Sequence, residues 1–167
     1  MNILAIFNVV GVLLLLLSGL MVLPVGIALY YDHPPLPGYM ADSQAFVLTL
    51  VVSFLIGLSL WKILPSGVEK LRDREGFAIV ALSWIFIAFA GAFPYYLSGY
   101  CPEFIDAFFE SMSGFTTTGA SIFRDIDSLP RGILFWRSVT QWFGGMGIIL
   151  LSMAIFPALG IGSTHLF

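Results

Sequence analysis

The sequence predicts an all-α membrane protein of four transmembrane helices, with one further half-length helix that re-enters from one side and is followed by a short loop. Three observations predict it. Of the 167 residues, 59% are hydrophobic and only 10% charged, with a mean hydropathy of +0.97, whereas about one quarter of an average soluble domain is charged. Four apolar stretches are each long enough to cross a hydrocarbon core, which takes about 20 helical residues. Between the third and fourth lies an amphipathic segment, Glu103 to Ser113, roughly 16 Å long at 1.5 Å per residue and so about half the depth of a ~30 Å core. It can dip into a bilayer but cannot cross one.

The first span runs from about Ile3 to Tyr31. No Lys or Arg precedes it, as one would in a secretory signal peptide, so it reads as a retained anchor. It exceeds the crossing length, which predicts tilt or a bend, with Pro24 the expected kink. Gly11, Gly19 and Gly26 are compatible with close helix contact, though ordinary packing accounts for them. Asp32 to Gly38 holds three prolines and a glycine and must be a turn. The second span, about Ser43 to Leu64, closes on Trp61 and Lys62, a pair suited to the interface, and carries Ser53 and Gly57 at small-xxx-small spacing.

Lys62, Lys70, Arg72 and Arg74 are four of the seven basic residues. Short cytoplasmic loops collect such residues, so loop 65–76 is assigned to the cytoplasm, the Asp32 turn to the outside and the amino terminus to the cytoplasm. A plain solvated link would carry the same charges. The third span, about Phe77 to Leu97, ends in Pro94-Tyr95-Tyr96, which is expected at the aromatic belt of the outer interface. The half-length helix then enters from the outer face.

That helix is expected to stop at Gly114 and to lead into Thr116-Thr117-Thr118-Gly119-Ala120. Non-helical backbone is tolerated at membrane depth only where it lines a wet cavity or is buried in protein. The threonine side chains are short and uncharged, so backbone carbonyls are the strongest candidate ligands for a passing cation, with Thr117 and Thr118 at the centre of the metal-ion site. Aiming several carbonyls at one axis requires some residue to leave the usual φ range, and Gly119 can do so without a Cβ penalty. The negative dipole end of the helix beside the loop favours a cation. On this reading the two elements are a pore helix and a filter loop, whose oxygens replace the hydration shell of potassium or a similar ion. A Thr-Thr-Thr-Gly run is also common loop composition. Arg124, Asp125 and Asp127 follow, either as a mouth that concentrates cations or as a plain hydrophilic turn.

The last span, about Gly132 to Phe156, carries Arg137 one turn from its outer end. Two readings are open: Arg137 snorkels to the interface, or it pairs with Glu110 behind the filter. Gly144, Gly145 and Gly147 near the middle of the span each cost about 1 kcal/mol of helix stability. They mark a close neighbour, the favoured expectation, or a bend that could serve as a gating hinge. The chain thus divides into two preliminary helices (1–64), a cytoplasmic loop (65–76), a span, pore and span unit (77–156) and a linker tail (157–167).

The net charge of -3 is modest, and no basic cluster points to nucleic acid as a partner. Cys101 is the only cysteine, so neither a disulfide within the chain nor a thiol metal site can form. His33 and His165 are isolated and read as loop and tail residues. No pairing of nucleophile and base argues for an enzyme.

Asp106-Ala-Phe-Phe-Glu-Ser-Met-Ser-Gly-Phe-Thr-Thr-Thr-Gly-Ala-Ser121, followed by Leu129-Pro130, Trp136-Arg137 and Gln141-Trp-Phe-Gly-Gly-Met-Gly-Ile-Ile149, closely resembles the Trk/Ktr superfamily of potassium uptake proteins, of the TrkH/TrkG type. The match covers roughly the last third of the chain. The earlier spans match only in hydrophobic layout. The resemblance implies potassium uptake across a bacterial inner membrane, with Gly119 at the filter glycine that goes with potassium selectivity and Thr116, Thr117, Thr118 and Ala120 as its neighbours. It also implies four such units around one pathway, a dimer of pore-forming subunits, a cytoplasmic nucleotide-binding regulatory subunit and surrounding membrane lipids. One unit is present, so the chain is expected to be an amino-terminal portion of a longer transporter, or one of several copies that bring four loops together. The alternative is a nonconducting truncated or assembly-partner membrane protein, in which the loop is only a packed re-entrant hairpin.

Overall fold

A computed structural model describes residues 3–31, 33–64 and 73–158, with side chains described for 3–31, 33–64 and 76–149. Most of the basic loop on which sidedness was argued, Asp32, and the tail from 159 with His165 lie outside the described residues.

The described chain is helical, with α1 (Ile3–Tyr31), α2 (Asp42–Ile63), α3 (Asp73–Leu97), α4 (Phe104–Phe115) and α5 (Arg131–Ala158). Among the described residues, three helices are long and apolar enough to cross a membrane: Ile3–Tyr31, Asp42–Ile63 and Gly76–Leu97. α5 has 28 residues, about 42 Å at 1.5 Å per residue. α3 starts at Asp73, inside the stretch expected as loop. Asp42, one residue before the expected start of the second span, opens α2 and is buried, its carboxylate in the first turn where the helix dipole favours it.

α1 is the hub, packing on α2, α3 and α5, and it continues helical through the buried Pro24. Its closest approach is to α2. A Cβ at Gly11 would lie 2.7 Å from Leu60 Cβ and 3.0 Å from the Gly57 carbonyl oxygen, and one at Gly57 would lie 2.8 Å from the Gly11 oxygen. Gly11 is therefore a backbone contact and not ordinary packing, while Gly19 and Gly26 meet nothing within 4 Å. Lipid supplies no hydrophobic drive between helices, so close van der Waals approach at small residues holds them together. The buried Asn8 adds to this joint by donating its amide to the carbonyls of Trp61 (3.0 Å) and Leu64 (2.7 Å), oxygens that the end of α2 leaves unpaired. In the sequence, Asn8 is simply one polar residue in an apolar run.

Three glycines let the short α4 wedge between α3 and α5. A Cβ at Gly91 of α3 would lie 2.7 Å from Ser111 Oγ, one at Gly114 of α4 would lie 2.3 Å from Thr140 Oγ1, and one at Gly144 of α5 would lie 2.2 Å from the Phe115 carbonyl oxygen. Gly114 is thus not the stop of α4, as expected, since the helix runs through it to Phe115. It is the place where α5 comes near. Trp136, fully buried, donates from Nε1 to the Gly91 carbonyl at 3.1 Å and stacks edge-on to Phe115 and Phe46. Tyr95 is also fully buried, so of the expected belt pair only Tyr96 reaches the surface. The reason is register: Pro94 lies inside α3 and the helix carries Tyr95 round to the face toward α5.

Cys101, in the turn between α3 and α4, is wholly buried. Burial, helped by Asp106 and opposed by Arg137, pushes its thiol up to about 12. The thiolate is the reactive form, so the native protein at pH 8 is expected to resist maleimide labelling and to take up one equivalent only after denaturation. Rapid labelling of the folded protein would contradict the buried placement.

Candidate functional site

The site is built where α4 ends. The amide nitrogens of Thr116, Thr117 and Thr118 donate to the carbonyls of Met112 (2.9 Å), Gly114 (3.0 Å) and Ser113 (3.0 Å). The last two bonds form the paired closure that usually places a left-handed glycine one residue beyond the helix cap. Here that position is Thr117, with φ +56°, among the described residues the one non-glycine at positive φ. A β-branched residue held there costs about 1–2 kcal/mol. A helix stop at a glycine was expected, and this closure carries none.

The threonine hydroxyls turn to local partners. Thr116 Oγ1 donates to the Met112 carbonyl (2.8 Å) and pairs with Thr118 Oγ1 (2.8 Å), and Thr117 Oγ1 donates to the Thr116 carbonyl (2.7 Å). Gly119 is left-handed at φ +74°, as the sequence analysis expects, and no atom lies within 4 Å of where its Cβ would be. The Ala120 carbonyl accepts the Ser113 hydroxyl at 2.6 Å. Among the described residues, the carbonyls of Thr117, Thr118 and Gly119 accept no hydrogen bond. Residues 117–120 are exposed on this chain and Thr116 is half-buried.

Behind the loop, Arg137 of α5 forms an ion pair with Glu110 of α4, both largely enclosed. Of the two readings of Arg137, the structure adopts the pair. Glu110 also receives the Ser121 hydroxyl (3.1 Å to each carboxylate oxygen) and the Ile122 amide (3.0 Å). Arg137 Nη1 donates to Ser121 Oγ (3.3 Å), and its guanidinium carbon stands 5.4 Å from the centre of the Phe123 ring. The outgoing limb of the loop is thereby tied to α4 through a charge-paired carboxylate. Ser113 and Ser121, which the sequence analysis did not single out as site residues, supply much of this tie. Their only sequence signal was small hydroxyl residues flanking the threonine run.

Of the glycines proposed for support or gating, Gly144 meets the Phe115 backbone, Gly147 meets Trp84 at 3.1 Å, and Gly145 makes ordinary contact with Thr117 Cγ2 at 3.8 Å. α5 remains helical through all three. Arg124, Asp125 and Asp127 are exposed beyond the loop.

Comparison with known proteins places these features in context. A family model described as TrkH, cation transport protein, matches residues 42–167. The chain is similar to the Trk system potassium uptake protein TrkH of Escherichia coli strain K12, with 46% identity over 167 residues, 98% of this chain and 32% of the relative. The Trk system potassium uptake protein TrkG of the same organism shares 39% over 158 residues, 94% and 31% of the two chains. The crystal structure of the potassium transporter TrkH from Vibrio parahaemolyticus superposes with a TM-score of 0.84 at 41% identity, over 97% of this chain and 33% of that one. The chain spans about one third of the length of the relatives it matches.

Proposed function

The chain belongs to the TrkH family of cation transport proteins, and from that premise we propose that it is a pore-forming unit of an integral membrane protein for potassium uptake. One observation carries the reading: three successive carbonyls, of Thr117, Thr118 and Gly119, left without acceptor bonds among the described residues at the negative end of a short helix. Left-handed residues at the alternate positions 117 and 119 allow successive carbonyls to face one side instead of alternating. Such oxygens replace the hydration shell of a potassium ion, which is the cargo.

In this reading α1, α2, α3 and α5 cross the bilayer, while α4 and Thr116 to Ala120 form the re-entrant pore helix and filter. The amino terminus faces the cytoplasm and the membrane is the bacterial inner membrane. One loop cannot surround an ion, so further units, in the same polypeptide or in other copies, complete the ring. A dimer of complete subunits and a cytoplasmic nucleotide-binding regulatory subunit belong to the same reading, as do relatives named for potassium uptake.

The test is Gly119→Ala and Gly119→Val, read as growth of a potassium-uptake-deficient bacterium on limiting potassium. No neighbour obstructs a Cβ there, so the penalty comes from φ alone, about 1–2 kcal/mol in the filter backbone. Uptake is expected to be lost with membrane insertion unchanged. Growth equal to the parent would instead favour a nonconducting hairpin.

A further inference from the structure

Ser113 is buried in the last turn of α4 and bonds the loop twice. Its carbonyl accepts the Thr118 amide at 3.0 Å, and its hydroxyl donates to the Ala120 carbonyl at 2.6 Å. The two bonds land at either end of a three-residue arch, Thr118-Gly119-Ala120, with the left-handed Gly119 at its crown. No other residue described here holds both ends of that arch. Gly119 itself has no packing neighbour where a Cβ would be, so the chord beneath it is what sets its position.

We propose that Ser113 is a specificity-determining positioning residue: its hydroxyl fixes the width of the filter arch and turns the Ala120 carbonyl back into the protein. The ligands this unit offers are then the carbonyls of Thr117, Thr118 and Gly119, and Ala120 is not among them. Selection between potassium and sodium depends on the number and flexibility of the coordinating carbonyls. Without the hydroxyl, the Ala120 carbonyl swings free, the arch relaxes, and the smaller ion gains a ligand set it is otherwise denied. Ser113 does not touch the ion; it acts through Ala120.

This rests on the potassium reading above, and the experiment separates the two. In the intact transporter, potassium uptake and its inhibition by sodium are measured for Ser113→Ala and Ser113→Thr beside Gly119→Ala. The alanine variant is expected to lose discrimination between potassium and sodium by about fivefold, the scale of one lost hydrogen bond, while still transporting potassium. The threonine variant, which keeps the hydroxyl, is expected to retain parental discrimination. If the alanine variant is not recovered in the membrane, Ser113→Cys, similar in size but a weak donor, carries the same expectation. A lower maximal rate with unchanged discrimination would reduce Ser113 to a structural residue and overturn the proposal, as would equal loss in the alanine and threonine variants. If Gly119→Ala also leaves uptake and discrimination untouched, the filter reading itself falls.

Discussion

Glu110→Gln is expected to lower stability by about 3–5 kcal/mol, the scale for removing one member of a buried ion pair. Glu110 is 3% exposed and gathers three donors: the guanidinium of Arg137, the Ser121 hydroxyl, which lies within reach of both carboxylate oxygens, and the Ile122 amide. The substitution leaves a largely enclosed guanidinium without its counter-charge, while its contacts to Ser121 and the face of Phe123 remain. Arg137→Gln should be milder, because Glu110 keeps Ser121 and Ile122. The double variant Glu110→Gln/Arg137→Gln removes both charges and should be clearly more stable than the sum of the two losses, since adjacent members of one network do not add. Thermal unfolding of the four proteins in detergent closes the cycle. Additive losses would mean that the pair is not coupled and that the loop is held by something else.

The second large effect is steric. Gly144→Ala places a methyl group 2.2 Å from the Phe115 oxygen, 2.7 Å from its carbonyl carbon and 3.0 Å from its Cα. All three are backbone atoms that no rotamer change can move, so the end of α4 must shift away from α5. Phe115 is the last residue of α4 and Thr116 follows directly, so the displacement goes straight into the Thr116–Ala120 loop. Overpacking of this kind costs about 1–3 kcal/mol, and more when backbone must move. Uptake should fall at least tenfold for Gly144→Ala, while Gly145→Ala, which faces Thr117 Cγ2 at 3.8 Å, should transport like the parent. Uptake assays normalised to membrane content decide it. The reverse ranking, with Gly145 sensitive and Gly144 tolerant, would show that these glycines serve a bend and not a contact.

Much of the architecture was legible from one dimension because a bilayer imposes lengths. A run of about 20 apolar residues crosses, a run half as long does not, and prolines and glycines punctuate the turns between them. Those rules place α1, α2, α3, α4 and α5 to within a few residues, and they mark Thr116 to Ala120 as backbone that must line or be buried. Gly119 was readable for the same kind of reason: a tight non-helical run needs a residue free of a Cβ, and only one was on offer between Thr116 and Ala120.

What the sequence by itself determined is therefore the set of elements, the membrane as their solvent and the position of the loop, all of which follow from local length, composition and backbone freedom. Only the tertiary structure decided which residues those elements bring together. Gly114 looks like a helix stop until Thr140 is found against it, and Tyr95 looks like a belt residue until α3 turns it inward. Ser113 and Ser121 say nothing until Ala120 and Glu110 arrive beside them, and Arg137 could face either lipid headgroups or a carboxylate. Close approach between backbones, and the pairing of a buried charge, depend on helices distant in the chain meeting in space, and no window of sequence contains both partners.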